Sequence, residues 1–257
     1  MRRLLVVVGL VVGAALVTVA VPVVLIVVSF ARTAPIKGGV DLVPGVFTVK
    51  EGFVSAFVVD LGKGRVALVD AGIDPTAKPI VAELARRGLK EDAVAAILLT
   101  HGHSDHSAGC AAFPKAPVWA LEAGVALAEG RAGSRSPIGR LAWPRPTGIK
   151  VGRALHDGET VRLGKTAIRV FAVPGHTPGS AAFLVHGALI LGDAADSLKS
   201  GKMSAAKWIF SESVAQDRAS LKALAGRLNP AEVRVIAFSH SGPLQGLKPL
   251  LDFAANP

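Results

Sequence analysis

After Met1-Arg2-Arg3 the chain runs from Leu4 to Phe30 without one charged residue. As a helix rising about 1.5 Å per residue, such a stretch is long enough to cross a hydrocarbon core about 30 Å thick. It predicts a membrane anchor or signal segment over residues 1–31. The run exceeds the roughly 7–15 residues of a signal core, which favours an uncleaved single-pass anchor through residues 4–30. The small residues at Ser29 and Ala31 leave open cleavage after Ala31, with secretion. Arg2 and Arg3 suggest a cytoplasmic N-terminus and a chain facing outward, periplasmic in a bacterium, although Arg32 and Lys37 weaken the asymmetry.

Beyond a linker over residues 32–42, the pattern changes to short apolar runs separated by turn residues and helical stretches. Phe53 to Val59 and Arg65 to Val69 read as strands joined by Gly62-Lys63-Gly64. Thr76 to Arg87 reads as a helix, with Asp74-Pro75 as its entry and Gly88 as its exit. Val161 to Val173 gives strands interrupted at Gly164-Lys165, and Ala181 to Val185 forms a hairpin with Leu189 to Leu191 through His186-Gly187. Ser213 to Leu228 is an amphipathic helix leading into a last strand. The alternation is that of an α/β protein, and residues 43–257 are enough for one two-layered core rather than two domains.

Candidate chemistry sits at the ends of these runs. His101-Gly102-His103-Ser104-Asp105-His106 places four metal-binding side chains in six residues, directly after the apolar run Val94 to Leu99. In an extended segment His101 and His103 share a face, and the turn that follows can bring Asp105 and His106 around a second position. His176 follows Ile168 to Val173, Asp193 ends Ala188 to Gly192, and His240 follows Val233 to Phe238. Of seven histidines, only His156 and His186 lie elsewhere. A lone His or Asp at a strand end is ordinarily a cap or turn residue. Three imidazoles and a carboxylate packed into six residues would repel on protonation without a metal.

The motifs Leu68-Val69-Asp70-Ala71-Gly72, Thr100 to His106, Pro174 to Ser180, Leu191-Gly192-Asp193 and Ser239-His240 occur in the order found in the metallo-β-lactamase superfamily, which the chain resembles over about residues 43 to 250. The resemblance implies a four-layer αββα sandwich. It implies that His101, His103 and His176 hold one metal, that Asp105, His106 and His240 hold a second, and that Asp193 bridges them. Asp70 is then a supporting residue behind the ligands. Two divalent ions, zinc above all, with manganese or iron as alternatives, would share a hydroxide that attacks an electrophilic carbonyl, Asp105 both ligating and relaying a proton. The second and third motifs are similar to those of hydroxyacylglutathione hydrolases, implying thioester or lactone cleavage. The bridging carboxylate argues against a true β-lactamase. The rival is a persulfide dioxygenase of the same fold, holding one iron on His101, His176 and Asp193.

Composition changes this picture in two places. The formal charge of +10 concentrates at Arg131, Arg135, Arg140, Arg145, Lys150 and Arg153, with no acidic residue between Arg131 and Arg153. This Gly- and Pro-containing loop, with Trp143 in it, suits an anionic small-molecule substrate or lipid headgroups. Nucleic acid is disfavoured, because the further domain of nuclease relatives has no room here. The single cysteine, Cys110, permits no internal disulfide and reads as buried rather than nucleophilic.

Overall fold

A computed structural model describes residues 21, 23, 24 and 26–256. Contacts divide the chain into residues 1–33 and 34–257. In the first unit the described residues between 21 and 32 are helical. Among the described residues no helix is long and apolar enough to cross a membrane. The predicted single-pass anchor with its outward-facing domain is corrected on that finding; residues 4–20, 22 and 25 of the span lie outside the described residues.

The second unit holds two large sheets. The first has seven strands in chain order: β1 (Asp41–Val43), β2 (Val46–Glu51), β3 (Val54–Gly62), β4 (Arg65–Val69), β5 (Val94–Leu98), β6 (Val118–Leu121) and β7 (Val151–Leu155). β1 to β4 pair antiparallel, and β4 to β7 pair parallel. The second sheet is built from β8 (Thr160–Leu163), β9 (Thr166–Ala172), β10 (Ala181–Val185), β11 (Ala188–Ile190), β14 (Val235–Ala237) and β15 (Leu244–Gln245). A small ribbon of β12 (Ala195–Ser197) and β13 (Met203–Ala205) follows β11.

Alternation along the strands makes three cores. In β3, Phe57 and Val59 point inward to meet Ile168, Val170 and Phe183 of the second sheet. Their neighbours Ala56 and Val58 point outward and pack with Ile80 and Leu84 of helix α1 (Lys78–Arg86). On the far side, Phe171, Leu189 and Ile236 pack with Leu221 and Leu224 of helix Val214–Ala225 and with Leu250 and Phe253 of helix Lys248–Ala255. Three apolar interfaces separate four layers, so the α/β expectation resolves into an αββα sandwich.

The predicted elements appear with shifted ends. The Gly62-Lys63-Gly64 turn carries positive φ at all three residues, as does His186-Gly187. Residues 34–42 do not hang free as a linker. Ala34 N–H donates to the Ser197 carbonyl at 2.9 Å, Gly242 N–H donates to the Ala34 carbonyl at 3.1 Å, and β1 joins the first sheet.

Strand direction sets where loops collect. β4 and β5 are parallel, so Asp70 and His101 leave the first sheet at one edge. β11 and β14 are parallel, and β9 runs the same way because β10 is antiparallel to both β9 and β11. His176, Asp193 and His240 therefore follow strand ends at one edge of the second sheet. At that edge the sheets are tied by Ala181 N–H to the Thr100 carbonyl, 2.7 Å, and Ser55 N–H to the Ser239 carbonyl, 2.8 Å.

Helix Val214–Ala225 starts at a Ser213 cap and carries Asp217, fully buried, in its first turn. Asp217 Oδ2 accepts from Ala206 N–H at 3.0 Å, and Oδ1 has no partner. Burial pushes this carboxyl up to about 7, against the opposing hydrogen bond and the Arg218 charge. A folded-state value above the unfolded one means stability present at acid pH and lost as pH rises through about 7. Asp217→Asn keeps a carbonyl acceptor without the charge. Urea midpoints of wild type and variant are thus expected to diverge in the variant's favour between pH 5 and pH 8; a pH-independent difference would contradict the assignment.

Candidate metal centre

The cluster begins with a strained residue. Asp70 lies at the end of β4 with φ 60°, a left-handed conformation costing an L-residue about 1–3 kcal/mol. Fully buried, it accepts three hydrogen bonds: from Thr100 N–H at 2.7 Å on Oδ1, and from Thr100 Oγ1–H at 2.7 Å and His106 Nδ1–H at 2.8 Å on Oδ2. One carboxylate thus fixes the loop after β5 and one imidazole of it. Thr100 spends its hydroxyl proton on Asp70, so at 3.2 Å from His101 Nδ1 it can only accept. His101 then carries its hydrogen on Nδ1 and turns Nε2 inward. His240 is oriented by a backbone group, its Nδ1–H donating to the Phe53 carbonyl at 2.8 Å, while the exposed Phe53 ring stacks on its imidazole at 5.7 Å between centroids.

Close approach of backbones completes the edge. Gly192 has φ 59°, and a Cβ there would stand 2.7 Å from the Thr100 side chain. Gly102 lies against the backbone of Ala128, where a Cβ would meet the amide nitrogen at 2.5 Å. Any larger residue at either position would push apart the loops that carry Asp193 and His101 to His103.

All seven predicted ligand residues come together. His101 Nε2 is 2.9 Å from His103 Nδ1 and 3.1 Å from His176 Nε2, and His176 Nε2 is 3.0 Å from His103 Nδ1. Beside this triangle, His240 Nε2 is 3.3 Å from Asp105 Oδ2, and His106 Nε2 is 3.6 Å from the same oxygen. Asp193 lies between the groups: Oδ1 is 3.3 Å from His106 Nε2, and Oδ2 is 3.1 Å from His240 Nε2 and 3.7 Å from His176 Nε2. His156 and His186 stay outside, His156 facing Glu122 at 3.6 Å and His186 in the β10–β11 turn.

Burial holds His101 and His103 below the ordinary imidazole value and pushes His176 down to about 3. Neutral rings with free lone pairs are the form a metal takes. His106 and His240 go the other way. Burial opposes their charge, but Asp193, with Asp70 and Asp105 at His106 and Asp105 at His240, holds His106 well above its ordinary value and raises His240 to about 10. Asp105 and Asp193 are held ionised by the same imidazoles, against burial. The donor set fits a cation centre on two further observations. His106 Nε2 and Asp193 Oδ1 are buried without a hydrogen-bond partner, and the three converging nitrogens of His101, His103 and His176 cannot all be satisfied by one another. Within 4.8 Å of one another lie the potential ligand atoms of His101, His103 and His176, of His101, His106 and Asp193, and of Asp105, His106 and His240.

Cys110 is buried, and burial with the Asp70 charge nearby pushes its thiol up to about 12, in keeping with a packing role. The basic segment is a loop containing one short turn, Gly139–Leu141, until β7 begins. Thr147 Oγ1 donates to the Ala128 carbonyl at 2.7 Å, beside Gly102. Ile138 N–H donates to the Ile209 carbonyl at 3.1 Å, and Arg135 N–H donates to Glu212 Oε1 at 3.0 Å. Glu212 N–H in turn donates to the His176 carbonyl at 3.1 Å. The loop is therefore fastened both beside His101 to His103 and beside His176, with Trp143 left 87% exposed. Sequence reasoning missed Ser211, Phe53 and Glu212, since nothing in their residue types or spacing sets them apart.

The family model described as Metallo-beta-lactamase superfamily matches residues 49–240. The chain belongs to that superfamily. A hydroxyacylglutathione hydrolase of Anaeromyxobacter dehalogenans is 42% identical over 130 residues, 51% of this chain and 42% of that one. One of Cupriavidus taiwanensis is 34% identical over 177 residues, 66% of this chain and 56% of that one. The chain spans about half the length of the curated relatives it matches. Among solved structures, a metallo-beta-lactamase family protein of Thermus thermophilus superposes with a TM-score of 0.60 at 26% identity, covering 84% of this chain and 80% of that one.

Removing the Asp70 carboxylate tests the support of the cluster. Asp70→Ala leaves three buried donors without an acceptor, at about 1–3 kcal/mol each. The expected result is a fall in the urea unfolding midpoint equivalent to at least about 3 kcal/mol; a change under about 1 kcal/mol would show that Asp70 does not organise the loop.

Proposed function

We propose that this chain is a metal-dependent hydrolase that cleaves a thioester or lactone, with His101, His103 and His176 holding one divalent ion, Asp105, His106 and His240 a second, and Asp193 shared between them. The observation that carries it is the juxtaposition of two donor clusters, one largely buried and one partly exposed, across one carboxylate at the loop edge of the sandwich. Bound there, the ions, zinc being the best match to an imidazole-rich set with manganese or iron as alternatives, supply Lewis acidity and lower the pKa of water toward neutrality. The chain's own groups do the rest. Asp70, Thr100 and the Phe53 carbonyl set imidazole orientation, so the ligand atoms face the substrate side without rearrangement. Asp105, kept ionised and 23% exposed at its side chain, is the carboxylate that can accept a proton at the mouth of the site. Two clusters, rather than one, favour hydrolysis over a single-iron persulfide dioxygenase.

The basic loop supplies the substrate class. The loop is fastened on both sides of the donor clusters through the Arg135 backbone and Thr147, and its basic residues suit an anionic acyl compound. The domain boundaries proposed with this function are 43–257 for the catalytic part.

Stripping metal with a chelator is expected to abolish hydrolysis of S-acyl thioesters and lactones, with recovery on adding zinc or manganese. Asp193→Ala should lower kcat by at least about a hundredfold; normal turnover with two ions bound would contradict the shared carboxylate. Persulfide-dependent oxygen uptake in place of hydrolysis would favour the iron reading. Separately, Arg135→Ala is expected to raise KM for an anionic thioester about tenfold while leaving a neutral one unchanged. Equal effects on both would remove the loop from substrate selection.

A further inference from the structure

Thr100, Asp70 and the Phe53 carbonyl account for the orientation of His101, His106 and His240, but not for that of His176. His176 turns Nε2 toward His101 and His103, and its other nitrogen, Nδ1, lies 3.1 Å from Ser211 Oγ. The same hydroxyl lies 2.8 Å from the Lys207 carbonyl oxygen. A carbonyl can only accept, and a hydroxyl has one proton to give. The Ser211 proton goes to Lys207, and the oxygen faces the imidazole as an acceptor. We propose that Ser211 is a positioning residue that fixes His176 with its hydrogen on Nδ1 and its Nε2 lone pair toward His101 and His103, an inference that rests on the metal-centre reading above.

The local fold serves this contact. Residues 208–210 form one tight turn, closed by Ser211 N–H to the Trp208 carbonyl at 3.2 Å, which brings Ser211 back over Lys207. Immediately afterwards Glu212 N–H donates to the His176 carbonyl at 3.1 Å and Ser213 N–H to the Gly175 carbonyl at 2.8 Å. Ser213 then caps the next helix through Gln216 N–H. At its other end the segment is held by the buried ion pair of Lys207 with Asp196, three residues beyond Asp193. Residues 207–213 thus join the Asp193 side of the cluster to the His176 loop, and within them the Ser211 hydroxyl meets the His176 imidazole. Ser211 is 3% exposed, so water cannot readily replace its hydroxyl.

The test uses the full chain stripped of metal, as wild type, Ser211→Ala and Ser211→Thr. Zinc affinity is measured by competition with a chromophoric chelator, and the His176 tautomer by long-range proton–nitrogen correlation in the metal-free wild type. Loss of an acceptor behind a ligand imidazole typically weakens binding by about 10–100-fold. That loss is expected for Ser211→Ala at one of two resolved sites, with the metal-free melting temperature within a few degrees of wild type. Ser211→Thr, which keeps the hydroxyl, should bind within about threefold of wild type, and His176 should show hydrogen on Nδ1. Zinc binding by Ser211→Ala equal to wild type, or hydrogen on Nε2 in the metal-free protein, would overturn the role of Ser211 alone. A wild-type chain with no measurable zinc affinity would overturn the metal centre itself, and is told apart by that first titration.

Discussion

Buried nitrogen lone pairs and carboxylate oxygens that point at one another are the constraint on which the rest of this structure depends. Imidazole nitrogens held about 3 Å apart repel, or leave polar atoms unsatisfied, unless a cation lies among them. At His101, His103 and His176 the chain keeps three such nitrogens converged. Around them it fixes four of the five rings from behind with an acceptor: the Thr100 hydroxyl at His101, the Asp70 carboxylate at His106, the Ser211 hydroxyl at His176 and the Phe53 carbonyl at His240. The left-handed backbone at Asp70 is tolerated for the same reason, because it lets one carboxylate reach both Thr100 and His106.

The sandwich exists at this edge as a support. Its three apolar interfaces lock two sheets whose relevant strands end on the same side, so loops distant in sequence deliver ligands to one point. Hydrogen bonds from Ala181 to Thr100 and from Ser55 to Ser239 stitch the two sheets next to the cluster. The more exposed side of the cluster is that of Asp105 and Phe53.

Much of this is legible in the sequence for identifiable reasons. His101 to His106 are adjacent in the chain, and His176, Asp193 and His240 each close an apolar run, so strand-end chemistry shows without knowledge of pairing. Asp74-Pro75 and Gly88 mark the helix before β5, and His186-Gly187 marks the β10–β11 hairpin. What stays hidden depends on tertiary register. Ser211 meets a ring 35 residues away, and the partner of His240 is a backbone carbonyl 187 residues away, for which no side chain gives a signal. β1 starts within the expected linker and ends one residue beyond it, because three residues carry too little periodicity to be seen. The apolar N-terminus shows the opposite error: hydrophobicity alone predicts a spanning anchor, and among the described residues no helix of that length and character is present.

The most direct measurement is the metal content of the purified chain by elemental mass spectrometry, on wild type and on His103→Ala, prepared without added metal. Two divalent ions per wild-type chain, with at least one lost in the variant, are predicted. A wild-type chain that carries no metal and acquires none from zinc or manganese, or a His103→Ala chain with unchanged content, would contradict the account.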